Sequence, residues 1–222
     1  MKASLLLFLC LVFLLSSCGS ITYLQYYKTN STKTVREDNA YVFENDSVKI
    51  TYTFWANGGV MSFSIFNKMD KPLYIDWKRS SCIINFANNF YYNDSLANQG
   101  YILTSIAFIP PKTQIEQKLS DIITMNVKDW KNFETQHQVR NDSRKKETKI
   151  FVKAFTKDNS PVIFRNFLTL SDKQDFQNTF SIDNFFYISE LQAMDVRNFR
   201  SKTMEDTWEY FYQKGTDFYL EK

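Results

Sequence analysis

The chain predicts an all-β fold, an antiparallel β-sandwich, and three observations carry that prediction. Apolar Val48, Ile50, Tyr52 and Phe54 alternate with Lys49, Thr51 and Thr53, the period of two of a half-buried strand. Short runs of this kind recur along the chain with turn-forming residues between them. Helical periodicity is scarce. Together these point to packed sheets rather than a parallel α/β arrangement.

Taken in order, the first element is Tyr23, Leu24, Tyr26 and Tyr27, apolar enough for an edge strand or for a position at a lipid interface. The polar run Thr29-Asn30-Ser31-Thr32-Lys33-Thr34 follows, and residues 18 to 39 are expected to form a tether ahead of a folded domain over residues 40 to 222. After the strand at Val48, Asn57-Gly58 and Gly59 supply residues that tolerate positive φ, which is hairpin chemistry. Met61, Phe63 and Ile65 alternate with Ser62 and Ser64 on the return. A polar turn over residues 67 to 71 ends at Pro72, and Leu73, Ile75 and Trp77 resume the pattern, which predicts a three-strand meander. Further strands are expected over residues 82 to 86, 101 to 109, 149 to 155 (Ile150, Val152 and Ala154 inward), 162 to 170 and 180 to 188. Two helices are candidates. One is residues 172 to 177 capped by Ser171; the other, 204 to 212, reads almost equally as a strand and leaves room for a C-terminal extension. Residues 136 to 149, with Arg140, Arg144, Lys145, Lys146 and Lys149 against Asp142 and Glu147, read as a solvated loop with capacity for an anionic lipid or polymer.

The N-terminus is expected to be removed. Lys2 precedes an apolar run from Leu5 to Leu15, then Ser16, Ser17 and Cys18. The run is shorter than the ~20 residues that span a bilayer, and it reads as a secretion signal over residues 1 to 17. Leu15 stands where ordinary signal peptidase wants a small residue. Leu15-Ser16-Ser17-Cys18 resembles the lipobox of bacterial lipoproteins, which implies that Cys18 becomes the acylated first residue. Gly19-Ser20 carries no acid, which by resemblance to known sorting rules favours the outer membrane, with a periplasm-facing position.

Of 222 residues, 205 remain after such cleavage, enough for one large domain or two small ones. The full chain has 27 basic and 24 acidic side chains, and without Lys2 the net charge is +2. That balance gives no electrostatic case for nucleic acid. A hydrophobic content of 44% supports a real core and excludes disorder. With Cys10 cleaved off and Cys18 acylated, Cys82 has no disulfide partner within the chain, and it reads as a small buried hydrophobe. Phe accounts for 21 of the aromatic residues, against 13 Tyr and 4 Trp, which marks core more than a sugar platform.

Catalytic chemistry has few footholds. His137 is the single histidine, so metal ligation at usual spacings lacks a second ligand, and a Ser-His-Asp arrangement would have to use it without a G-x-S-x-G elbow. Gly58-Gly59 lacks the context of a phosphate loop. No metal and no cofactor are predicted. Asp76, inside the strand at Leu73, reads as a strand-end hydrogen-bond acceptor. Asn30, Asn45, Asn93 and Asn141 begin Asn-x-Ser/Thr triplets, inert in a bacterium. Asp46-Ser47-Val48 and Asp94-Ser95-Leu96 resemble the short O-glycosylation motif of Bacteroidota, which implies modification of Ser47 and Ser95 on exposed turns.

The stretch from Val48 to Ile84, with Tyr26-Tyr27-Lys28-Thr29 shortly after the cysteine, resembles small Bacteroidota lipoproteins of unassigned activity. The resemblance implies an immunoglobulin-like sandwich and an envelope location, and it transfers no catalytic residue. The expected function is therefore a lipid-anchored, non-enzymatic envelope protein that meets the membrane through Cys18 and binds a partner protein or glycan. The alternatives are a glycan-acting hydrolase and a purely structural lipoprotein; two carboxyl groups facing each other across a cleft, roughly 5 to 9.5 Å apart, would mark the hydrolase.

Overall fold

The computed structural model describes residues 22–92, 104–122, 132–139, 147–203, 205 and 207–221. The signal segment, Cys18, Asn93, Ser95, Asn141 and the basic run from Arg140 to Lys146 lie outside the described residues. The chain is all-β and antiparallel. The first strands are β1 (Tyr23–Ser31), β2 (Val35–Glu37), β3 (Ala40–Glu44), β4 (Val48–Thr53) and β5 (Val60–Asn67). Then come β6 (Leu73–Asp76), β7 (Ser81–Ile84), β8 (Ala87–Phe90), β9 (Ile106–Ile109), β10 (Gln114–Asp121), β11 (Glu134–Val139) and β12 (Glu147–Ala154). The C-terminal part holds β13 (Ile163–Ser171), β14 (Thr179–Asp195), the short helix α1 (Val196–Phe199), β15 (Arg200–Lys202), β16 (Trp208–Tyr210) and β17 (Phe218–Leu220).

Beside a two-stranded sheet of β15 and β16, two main sheets form, and the smaller of these has the order β10-β5-β4-β3-β2. Its two central strands alternate as the sequence predicts: Val48, Ile50 and Tyr52, then Met61, Phe63 and Ile65, are buried, and the residues between them face outward. The predicted hairpin forms, pairing Val48 with Asn67 and Thr53 with Ser62. The meander does not continue. β6 crosses into the larger sheet, where it pairs with β13 and β9. Buried Asn67 braces the crossing: its Nδ2 donates to Lys71 O (2.9 Å) and Ile109 O (3.1 Å) while its Oδ1 accepts from Met69 N (3.0 Å). One side chain thus satisfies the backbone of a turn that leaves one sheet for the other.

The larger sheet is built on β14, 17 residues long. One edge of β14 carries β13 and β12 end to end, with Ser171 opposite Thr179, Ile163 opposite Tyr187, and Ile150 opposite Met194. Its other edge carries β1, from Ser31 opposite Phe186 to Tyr23 opposite Asp195, with a bulge between Lys28 and Thr29. A bulge shifts the side-chain alternation by one residue. Ile182, Phe186 and Ile188 face the main core before it, and Leu191 faces the same core after it. Met194 is thereby turned to the opposite face, with Leu24, Tyr26, Ile150 and Val152, and there Phe199 of α1 and Tyr219 cover a second, smaller core.

The main core lies between the two sheets. Tyr52 and Phe54 from the smaller sheet side meet Phe186 and Phe164 of the larger, with ring centroids 5.0 Å apart for Tyr52–Phe186 and 5.1 Å for Phe54–Phe164. This is the sandwich packing that alternation predicts. β17 stitches the layers together. It pairs with β1, while Gly58 N donates to Tyr219 O (2.7 Å) from the β4–β5 loop.

Four further expectations are corrected. Residues 23 to 31, split between a possible edge strand and a tether, form β1, which is paired on both edges and buries Leu24, Tyr26 and Tyr27; the folded body thus begins well before residue 40. Residues 172 to 177 form a turn: Ser171 Oγ accepts from Lys173 N (3.0 Å) as a helix cap would, but Phe176 at φ 53° leaves helical space. The charged segment at 136 to 149 is strand at both ends, in β11 and β12. Ile150 and Val152 of β12 point inward as expected, whereas Ala154 is exposed. Residues 208 to 210 adopt the strand reading of their segment.

Candidate binding face

The alternation that buries one face of β4 and β5 presents a second face to solvent, and there the residues are small and hydroxylic. Thr51 stands opposite Ser64 and Thr53 opposite Ser62. Edge strand β10 extends both rows, with Glu116 opposite Ser64 and Lys118 opposite Ser62. Small side chains flanked by longer ones leave a shallow depression of about 390 Å³, lined by Thr51, Thr53, Ser62, Ser64, Glu116 and Lys118 among others. Along one margin Lys49 lies 3.6 Å from Glu37 and 3.8 Å from Glu44. Half-buried Phe66, opposite Lys49, supplies one aromatic side chain on this face.

Chemically the floor offers hydroxyls that donate and accept, one carboxylate and one ammonium. Enclosed small-molecule pockets are mostly apolar; this open, polar surface suits the hydroxyl-rich or backbone-rich surface of a larger partner. Glu116 is the single acid lining it, so the facing carboxyl pair of a glycoside hydrolase is not assembled there. The sequence signal for this face was present in the polar members of the alternation, Thr51, Thr53, Ser62 and Ser64. Their neighbour β10 was not legible, because pairing across the sheet brings Glu116 and Lys118 to them from more than fifty residues away.

The sequence-selected residues fall elsewhere. Asp76 ends β6 as a turn acceptor, taking hydrogen bonds from Lys78 N (3.0 Å), Arg79 N (3.1 Å) and Arg79 Nε (2.6 Å). Cys82 is a buried free thiol, and burial pushes it up to about 12. His137 lies exposed on β11 opposite Lys149. Ser47 lies half-exposed in the β3–β4 turn, where Asn45 Oδ1 accepts from its backbone N–H (2.9 Å). Among the described residues no group of three or more His, Cys, Asp or Glu is placed to hold a metal ion.

Sequence reading missed a buried polar cluster around Asp217, itself 1% exposed. Tyr26 Oη donates to its Oδ2 (2.6 Å), Thr216 Oγ1 donates to its Oδ1 (3.1 Å), and an Arg36 nitrogen lies 3.6 Å away. Burial, reinforced by the Asp217 charge, pushes the Tyr26 phenol far above its ordinary value, so it remains a donor. The Tyr26 and Arg36 contacts tie the C-terminal segment to β1 and β2. The cluster is a clasp.

No protein-family model matches this chain, and neither a curated protein nor a solved structure matches it significantly.

Proposed function

We propose that this is a lipid-anchored, non-enzymatic protein of the bacterial cell envelope, held at Cys18 in the outer membrane and facing the periplasm. Its immunoglobulin-like sandwich carries a binding face for a partner protein or glycan. The lipobox-like ending Leu15-Ser16-Ser17-Cys18 supports the anchor. The two packed antiparallel sheets support the immunoglobulin-like reading. The kinship with Bacteroidota lipoproteins, and the modification of Ser47 and Ser95, belong to the same proposal.

The observation that carries the binding reading is the hydroxyl floor of Thr51, Thr53, Ser62 and Ser64 beside Glu116 and Lys118. Core packing does not require small hydroxyls on four adjacent solvent-facing positions. The test is crosslinking of the intact lipoprotein in its native cells, with a glycan array run beside it. Each is repeated with the double variant Thr51→Arg, Ser64→Arg, which fills the depression from outside the core. A partner or glycan signal lost in a variant that still unfolds at the wild-type temperature is the expected result. A signal indifferent to the variant refutes the face, and absence of any signal leaves a purely structural lipoprotein.

A further inference from the structure

The place where the chain enters the fold fixes what the larger sheet must lie against. Thr22 O accepts from Val196 N (2.9 Å), so the chain is held in the body from that residue on. Cys18 and Thr22 are four residue steps apart. Fully extended, those steps reach at most about 14 Å. An acyl chain on Cys18 would therefore hold the Tyr23–Asp195 end of β1 and β14 within one short span of the headgroups.

That end carries an unusual surface. Tyr23 is exposed and its ring meets Phe151 edge-on, centroids 6.3 Å apart. Lys149 Nζ sits 4.9 Å from the centre of the same Phe151 ring. Further along β12, Lys153 Nζ lies 5.4 Å from the Phe133 ring and 5.5 Å from Phe155, two half-buried rings that pack against the main core. Lys149, Phe151 and Lys153 alternate onto one face of β12, and β11 brings His137 opposite Lys149 and Thr135 opposite Phe151. On the other face Ile150 and Val152 are buried in the smaller core, so this strand is amphipathic with aromatics and lysines on its outer side. The β14 carboxylates beside this stripe are both ion-paired: Asp195 with Arg197 (2.5 Å), and Glu190, opposite Ala154, with Lys28 (2.8 Å).

Rings with long cationic stems beside them suit the boundary between acyl chains and headgroups, where the ring is half-immersed and the ammonium reaches phosphate. We propose that the β11–β12 flank lies on the bilayer that holds the anchor, with Tyr23 and Phe151 at the interface and Lys149 and Lys153 against lipid phosphates. The inference rests on the anchored reading of Cys18. Two or more acyl chains give stable attachment by themselves, and a docked flank adds a protein-encoded contact that fixes the orientation of the sandwich.

The test uses the full acylated protein in vesicles of phosphatidylethanolamine and phosphatidylglycerol, with an environment-sensitive fluorophore on Thr135→Cys or on Lys173→Cys. Exposed Lys173 sits in the β13–β14 turn, at the opposite end of β14. Along that strand, at about 3.3 Å per residue, the two ends lie on the order of 50 Å apart. Headgroup-borne quencher is expected to dim position 135 severalfold more than position 173. Lys149→Gln with Lys153→Gln removes two cations, and at about fivefold each near an anionic surface it weakens docking about twenty-five-fold. Equal quenching at both positions, on protein whose mass shows an acylated Cys18, overturns the docking and leaves the anchor standing. A mature N-terminus without lipid overturns the anchor, and this inference with it.

Discussion

Cys82 shows what a single residue can and cannot reveal from sequence. A lone cysteine in an apolar run reads as core, and the side chain is 2% exposed on β7. Its chemical consequence needs the fold. Burial raises the thiol from 9.0 to about 12, because the low-polarity surroundings penalise the thiolate. A folded-state value above the unfolded one favours the protonated native form. The resulting stability is therefore complete below pH 9.0 and is lost as pH rises towards about 12. Burial likewise raises the phenols of Tyr26, Tyr41 and Tyr52, so their loss falls at still more alkaline pH, in the same direction. Urea midpoints are expected to hold steady from neutrality to pH 9.0 and then fall, and a thiol reagent at neutral pH should label Cys82 only on unfolding. Rapid labelling of the native protein would mean that the site is open. By contrast, the clasp at Asp217 was illegible. Its members, Tyr26, Arg36, Thr216 and Asp217, are scattered along the chain, and nothing local distinguishes a buried aspartate from a surface one.

Among elements, strands with one buried face were readable and their partners were not. β4 and β5 announce themselves because each must hide every second residue, whereas β6 follows the same pattern into a different sheet. Alternation states that a face is buried but not against what. The β7–β8 hairpin adds a local conflict. Ile84 pairs with Ala87, so Asn85 and Phe86 form the two-residue turn, at φ 46° and 69°. Both centres at positive φ suit Asn-Gly, and a phenylalanine there is strained. Phe86 is 85% exposed, so its ring contributes little packing. Phe86→Gly is expected to relieve the strain and raise stability by up to about 1 kcal/mol, read from denaturant midpoints. A marked loss of stability instead would show that the ring is held by contacts the turn conformation serves.

At the scale of the whole molecule, closure depends on the last strand. Phe218 is fully buried, stacks on Tyr27 of β1 with centroids 5.0 Å apart, and presses on the β4–β5 loop. There a Cβ on Gly59, at φ 71°, would stand 2.8 Å from its ring. The ring thus occupies the space that the loop glycine leaves open, and both sheets lean on it. Phe218→Ala is expected to cost about 3–5 kcal/mol and to lower the unfolding of both sheets together in one transition. Separate transitions for the two sheets would mean that the core does not couple them.

What the sequence determined by itself was the class of fold and most strand positions, because period-two burial is a local property of the chain. It also carries the lipobox-like ending on which the anchor proposal rests. The tertiary structure decided the partition of strands between two sheets, the shift of facing at the β14 bulge, the second core and the clasp at Asp217. Each of these joins residues far apart in sequence, and pairing across such distances is selected by the packing of the whole core rather than by any stretch within it.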